Sequence, residues 1–185
     1  MPRRLPPYLL IVIALASIGL TNCGVRRVDR DAVQGFVDQA DAAARKRFAP
    51  EICALRSAQF SMQQRFHNAL SPNNPTDLVI GRQLYCANAG KFAKLRQYVL
   101  ERQSLDITIA PGAKSAEVTA HYIEKMPYYE DVVASTPDDY TDVQVLDSIE
   151  HSVVGIENGK LVYLSSDVET TQSLVPKPQI PLPYD

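Results

Sequence analysis

The segment of this chain that most restricts its fold runs from Val143 through Ile156, which is long and rich in apolar residues. It ends at Glu157-Asn158-Gly159-Lys160, and asparagine followed by glycine favours tight hairpin turns because both residues tolerate positive φ. The sequence from Leu161 to Leu164 then predicts a returning strand. We therefore expect an antiparallel pair, with a bulge in the longer strand.

A second hairpin is predicted just before it. Apolar and polar residues alternate over 105–109 and again over 118–122, which is the two-residue repeat of a half-buried strand. Pro111-Gly112-Ala113-Lys114 lies between these segments and supplies the turn.

The first half of the chain predicts helices around a single strand. An apolar stripe at helical spacing indicates a helix from Asp31 to about Phe48, which Pro50 ends or follows with a new turn. Alternation over 58–63 favours a strand, and 71–75 has the composition of a loop. Thr76 or Asp77 is expected to cap a helix that continues through Cys86 and is interrupted near Asn88 to Gly90.

This order of elements, helix, strand, helix and then long antiparallel strands, resembles the nuclear transport factor 2-like superfamily, also called cystatin-like α+β. The resemblance covers about 31–171 and rests on element order and on the final hairpin, Val153 to Val162. It implies an α+β fold in which N-terminal helices pack on a curved antiparallel sheet, cone-like, as a single domain. A cystatin-type meander packed on helices would give nearly the same pattern.

The N-terminus predicts export. Arg3 and Arg4 precede an apolar run from Tyr8 to Leu20, which is the arrangement of a signal peptide over 1–22. The run is shorter than the roughly 20 residues that cross a bilayer. An uncleaved anchor is the alternative.

Cys23 directly follows this leader, and Leu20-Thr21-Asn22-Cys23 resembles the lipobox of bacterial lipoproteins. The resemblance implies an acyl chain on Cys23, a short linker over 23–30, and a location on the periplasmic side of the cell envelope. Gly24 after the cysteine implies the outer membrane rather than the inner one. The membrane is therefore an expected partner, reached through the lipid.

Cys53 and Cys86 remain as an even pair, and a disulfide between them is predicted for an exported domain. Two buried free thiols are the alternative. Zinc is disfavoured, since neither cysteine has a closely spaced partner, and no cofactor is expected. Without Arg3 and Arg4 the chain has 17 basic against 21 acidic residues, a net charge of −4 that argues against nucleic acid as a partner.

Candidate chemistry is sparse. His151 shares a strand face with Ile149 and Val153, so it is the one histidine expected to point into an apolar interior, as a possible acid or base. His67 and His121 are expected in solvent, as are Asp106 and Asp147. No catalytic triad order, phosphate loop or zinc-protease motif occurs.

Tyrosines are the second candidate group, in an acidic stretch near one strand end. Exposed tyrosines combine large contact area with a low entropic cost of ordering, which suits a protein-binding rim. Packing of this loop against its own domain is the alternative. The proposed rim consists of Tyr122, Tyr128, Tyr129 and Tyr140.

These observations favour a non-enzymatic envelope lipoprotein whose small domain, over 31–171, binds a protein partner or an apolar ligand. The proline-rich segment over 172–185 is expected as an extended tail. A small isomerase or hydrolase with a pocket inside the cone and His151 as base is one alternative, because the resembled superfamily includes such enzymes. A bitopic inner-membrane assembly factor with an uncleaved anchor is another.

Overall fold

A computed structural model describes residues 27–68, 71–95, 97–128 and 140–177, with side chains at 71–74 excepted. The predicted leader over 1–22, Cys23 and most of the proline-rich tail lie outside the described residues. The elements in chain order are α1 (Arg30–Arg45), α2 (Ala49–Ala54), β1 (Arg56–Asn68), β2 (Ser71–Gly81), α3 (Arg82–Phe92), β3 (Val99–Ile109), β4 (Ser115–Tyr128), β5 (Asp142–Glu157) and β6 (Lys160–Pro176).

The six strands form one curved, unclosed sheet in the order β2-β1-β6-β5-β4-β3. All neighbours are antiparallel except β1 and β6, which run parallel. The predicted α+β class, with helices packed on a curved sheet, is confirmed. The parallel pair was not predicted, and it brings the start of β1 beside the start of β6.

Both predicted hairpins are present. Asn158 and Gly159 adopt φ values of 52° and 74°, the left-handed conformations that a tight turn needs. The register between these two strands shifts at Val153 and Val154, but the extra residue, Leu164, belongs to β6, so the predicted bulge in β5 is wrong. The last strand continues to Pro176, past the predicted end of the domain at 171.

Helix α1 begins where its sequence favours a start. The Asp29 side chain accepts a 2.8 Å hydrogen bond from the backbone of Ala32, which satisfies one free N–H of the first turn. The buried stripe of Val33, Phe36 and Val37 packs α1 against the sheet. We call the sheet face that contacts this stripe the inner face.

The segment between β1 and α3 differs from its prediction. Residues 71–81 form an edge strand that pairs with β1, and the helix begins only at Arg82. An edge strand tolerates Pro72 and Pro75 because one side of its backbone needs no ladder hydrogen bonds. The helix then continues without the predicted interruption to Phe92.

No helix within the described ranges is long and apolar enough to cross a membrane.

Candidate active site

A cavity of about 310 Å³ lies between the inner face, α1 and α3. Its lining combines aromatic rings with ionisable groups, which is the composition of small-molecule sites. Ionisable side chains in this lining include Arg56, Tyr85, Tyr98, Glu124, Glu150 and Tyr163.

Strand alternation explains how carboxylates enter this space. On β4 the two-residue repeat that buries Val118 and Ala120 continues through Tyr122 to Glu124, so Glu124 is on the inner face. Glu150 is the register partner of Ala120 on β5, and it therefore faces the same way.

Glu124 is bonded to a phenol inside the cavity. The Tyr98 hydroxyl donates a 2.6 Å hydrogen bond to its Oε2 atom. Burial raises the pKa of the Glu124 carboxyl; the bond from Tyr98 lowers it, the charge of Glu150 raises it, and the net change is upward. A carboxyl group with a raised pKa exchanges protons closer to neutral pH than an ordinary glutamate does.

Glu150 is held by two serine hydroxyls. Both Ser152 and Ser166 donate to its Oε1 atom, the bond from Ser166 being 2.8 Å long. Its Oε2 atom receives no hydrogen bond from a described residue. One oxygen of Glu150 is thus fixed by the protein, and the other is an acceptor available to a ligand.

Arg56 is a buried cation surrounded by aromatic rings. Its guanidinium carbon lies 4.2 Å from the ring centre of Tyr163, 4.7 Å from that of Tyr85 and 5.2 Å from that of Phe60. Burial acts to lower the pKa of Arg56, but Tyr85, Tyr163 and Glu150 raise it, and the net change is upward. Its Nε and Nη1 atoms are buried without a hydrogen-bond partner among the described residues.

Arg56 and Tyr85 form a second bonded pair. Arg56 donates from Nη2 to the Tyr85 hydroxyl oxygen over 2.6 Å. Arginine has no acceptor atom, so the hydroxyl proton of Tyr85 does not take part in this bond. Burial raises the pKa of Tyr85 overall, against the opposing charge of Arg56, so the phenol keeps its proton. No hydrogen bond carries that proton to a described residue, and Tyr85 can donate it to a ligand.

The remaining acid of the cavity has a structural role. Asp41 is buried and accepts 2.7 Å and 3.1 Å hydrogen bonds from Arg102 and the Tyr122 hydroxyl. Burial raises the pKa of Asp41 by more than the charge of Arg102 lowers it. Arg102 also contacts Asp38 at 2.6 Å, so this network ties α1 to β3.

Comparison with solved structures identifies the scaffold. The chain is similar to a protein called a putative scytalone dehydratase from Novosphingobium aromaticivorans, at 14% identity over 78% of this chain and 85% of that one, with a TM-score of 0.57. The fold is nuclear transport factor 2-like.

Two further solved structures have the same nuclear transport factor 2-like architecture. A putative dehydratase from Streptomyces avermitilis matches at 10% identity over 75% of this chain and 93% of that one, with a TM-score of 0.54. A putative aromatic ring hydroxylase from Novosphingobium matches at 13% identity over 80% and 92%, with a TM-score of 0.55. At such identities the likeness establishes the fold alone. No family model matches the chain, and no curated protein matches it.

The expectation that His151 points into the interior is wrong. His151 is exposed on the opposite side of the sheet, the outer face, where its Nδ1 lies 2.9 Å from the Thr119 hydroxyl. It lines a separate depression of about 290 Å³ together with Asp167 and Glu169. It is therefore not a candidate base for the cone cavity.

The other histidines also lie on the outer face. His67 is 2.9 Å from Glu169, and His121 is 2.8 Å from Asp147, in pairs that are open to solvent. No group of three His, Cys, Asp or Glu side chains in the described ranges is arranged to hold a metal ion.

Two of the four tyrosines of the proposed rim are buried. Tyr122 is buried in the cavity wall, and Tyr140 is buried beside Val143 under the Lys177 ammonium, 4.0 Å from its ring centre. Tyr128 is half-buried, and Tyr129 lies outside the described residues. The alternative of packing against the domain holds for Tyr122 and Tyr140.

The predicted pairing of Cys53 with Cys86 is present. The two residues form a disulfide with a Cα–Cα distance of 5.3 Å, which joins α2 to α3.

From the sequence only Tyr122 was named, as part of a binding rim, and the other ionisable groups of the cavity were missed. Glu124 could have been found by extending the β4 alternation two residues beyond Tyr122. Arg56 and Tyr85 carry no such signal, because they meet only through the fold.

Proposed function

We propose that this chain is an acid–base enzyme that moves a proton next to the carbonyl group of a small cyclic substrate held in the cone. Isomerisation of a double bond and elimination of water both begin with this proton transfer. The proposal replaces the binding role that the sequence favoured. It follows the predicted alternative of an enzyme with a pocket inside the cone, but the catalytic residues differ from the predicted His151.

One observation carries the proposal: a carboxyl group with a raised pKa and a hydroxyl donor that contacts a buried arginine line the same cavity. Glu124 supplies the carboxyl, and the Arg56–Tyr85 pair supplies the donor. Abstraction of a proton beside a carbonyl needs a base for that proton and a donor for the oxygen that becomes negative.

The roles follow from the hydrogen bonds. Ionised Glu124 takes the proton from carbon, and the electrons of the C–H bond form the enolate. The Tyr85 hydroxyl donates to the enolate oxygen, while Arg56 behind it stabilises the negative charge. Glu124 then returns the proton to another carbon, or the enolate expels a β-hydroxyl group that leaves as water with that proton.

The names of the structural neighbours support this class of reaction. Two are called putative dehydratases, and both have TM-scores above 0.5. A cavity of about 310 Å³ also suits one small ring compound rather than a protein segment. Burial of Tyr122 and Tyr140 takes two of the four tyrosines out of the binding rim that the sequence suggested.

Proton exchange tests the proposal without knowledge of the natural substrate. A panel of cyclic ketones, enones and β-hydroxy ketones in D₂O is followed by proton NMR for loss of the signal beside the carbonyl. We expect catalysed exchange of at least one compound, and loss of that exchange in Glu124→Gln. Glu169→Gln, an exposed outer-face variant, is the matched control and should keep full activity.

Two outcomes contradict the proposal. Exchange that persists in Glu124→Gln would remove the assigned base. Ligands that bind in the cavity without any exchange across the panel would favour the binding role instead.

We also propose that the enzyme is anchored in the cell envelope through a lipid on Cys23. The Cys53–Cys86 disulfide supports an oxidising compartment, since such bonds persist outside the cytoplasm. Mass spectrometry of the purified N-terminus tests this: an acylated Cys23 is expected. A chain that still begins at Met1 would favour the bitopic alternative.

A further inference from the structure

Helix α3 forms one wall of the cavity. Four of its residues, at the spacing of a single helix face, line the cavity: Tyr85, Asn88, Ala89 and Phe92. The opposite side of the helix faces solvent, and the Leu84 side chain is 52% exposed there. The position of α3 therefore sets the shape of the cavity and the position of the Tyr85 hydroxyl.

Away from its ring contacts, Tyr85 with Phe60 and Phe92 with Tyr98, this helix makes few noncovalent contacts. Ala89 is its one fully buried residue, and its first turn, which follows Gly81, receives no side-chain capping hydrogen bond. The buried residues of the small apolar cluster beneath it are two alanines and one isoleucine, from α1, α2 and α3, with one further alanine and the rings of Tyr85 and Phe92 packed around them. A helix with so little buried apolar area is held weakly by packing alone.

The Cys53–Cys86 disulfide adds a covalent link to this helix next to the proposed catalytic residues. Cys86 directly follows Tyr85 in α3, and Cys53 precedes Arg56 by three residues at the end of α2. The covalent bond and the 2.6 Å hydrogen bond from Arg56 to Tyr85 thus join the same two chain segments. Loss of the covalent bond leaves mainly the hydrogen bond and ring packing to hold Tyr85 in place.

We propose that the Cys53–Cys86 bond is a positioning device that holds Tyr85 against Arg56, and that its reduction frees α3 and disables the donor. The catalytic part of this inference rests on the proposed function; the release of α3 does not. A dithiol reductant supplies the two electrons: its thiolate attacks one sulfur, both cysteines end as thiols, and the reductant ends as a cyclic disulfide. Both cysteines are half-buried rather than enclosed, so a small dithiol can reach them.

Hydrogen exchange followed by mass spectrometry tests the structural part. The full chain is compared before and after treatment with dithiothreitol. A Cys53→Ser/Cys86→Ser variant, which lacks the disulfide without any added reductant, is measured beside it. We expect amide protection over 82–92 to fall by about tenfold or more while protection over 143–156 changes little. Unchanged protection over 82–92, or an equal loss in both segments, would overturn the proposal.

Kinetics test the catalytic part. In the wild type, reduction should lower the exchange turnover number by about a hundredfold, as expected for loss of one oxyanion donor. In Tyr85→Phe the donor is already absent, so reduction should cause no further loss. An equal loss in both proteins would show that the bond acts on general stability and not through Tyr85.

The two proposals fail in different ways. If no compound in the panel exchanges, the acid–base function fails, yet the selective loss of protection over 82–92 would still establish the role of the disulfide in fixing α3.

Discussion

The Tyr98 hydroxyl lies 2.6 Å from Oε2 of Glu124, and it joins the segment before β3 to the inner face of β4. The bond supports the ionised form of a carboxyl group whose burial favours the neutral form. Because one effect favours the ionised form and the other the neutral form, Glu124 can act both as a base and as an acid, as moving a proton in both directions requires.

Removal of the Tyr98 hydroxyl should shift the pH dependence of exchange. In Tyr98→Phe the carboxylate loses a donor, so the pKa of Glu124 rises further. We expect the acidic limb of the kcat/KM profile to move to higher pH. Tyr128→Phe, outside the cavity lining, is the control, and an unmoved limb in Tyr98→Phe would mean that this bond does not tune Glu124.

The aromatic stack around Arg56 should require a guanidinium group. Arg56→Lys keeps a positive charge but loses the planar contact with three rings and the geometry of the bond to Tyr85. We expect the free energy of unfolding in urea to fall by about 1–2 kcal/mol. Arg65→Lys on the outer face should have little effect, and equal losses in both variants would contradict the account.

Loss of Arg102 should destabilise the protein more at higher pH. Arg102→Ala leaves buried Asp41 with only the half-exposed Arg45, 3.7 Å away, as a cation, so its folded pKa rises further above the ordinary 3.8. A carboxyl with a raised folded pKa loses stability as pH rises from its unfolded value toward its folded value, because the folded state then binds more protons. We expect a cost of about 3 kcal/mol near neutral pH.

The measurement for Arg102→Ala is urea unfolding at about pH 5 and about pH 8, where the cost should be smaller at the lower pH. Adding Asp41→Asn should recover part of the loss at the higher pH, since no buried charge then remains. A cost that does not change with pH would mean that Asp41 is not the group left uncompensated.

The disulfide should also contribute to global stability. It closes a sequence separation of 33 residues, for which loop entropy gives about 3–4 kcal/mol. Thermal unfolding of Cys53→Ser/Cys86→Ser should show a lower Tm than the wild type. A Tm equal to that of the wild type would indicate that the unfolded chain is not restricted by this bond.

Local signals predicted much of the fold. The Asn158–Gly159 turn, the β3–β4 hairpin and α1 each depend on residues close together in sequence. The strand at 71–81 was missed because prolines and asparagines indicate a loop, and only its pairing at the sheet edge with β1 makes it a strand. The parallel pairing of β1 with β6 joins distant segments and has no local signature.

The cavity residues of β5 were not predicted from the sequence, for a specific reason. Apolar residues were assigned to the interior, so His151 was placed there with Ile149. The inner face of β5 instead carries Ser148, Glu150 and Ser152, of which Glu150 lines the cavity, and Ile149 is 46% exposed on the outer face. The usual rule that apolar faces point inward is reversed where a strand lines a functional cavity.

The most direct test of the central claim is an NMR titration of the Glu124 side-chain carboxyl in the wild type and in Glu150→Gln. We expect a wild-type midpoint above the usual 4.5, and a lower midpoint in Glu150→Gln because the neighbouring charge is gone. A wild-type midpoint at or below 4.5, unmoved by the substitution, would contradict Glu124 as the tuned acid–base group of this cavity.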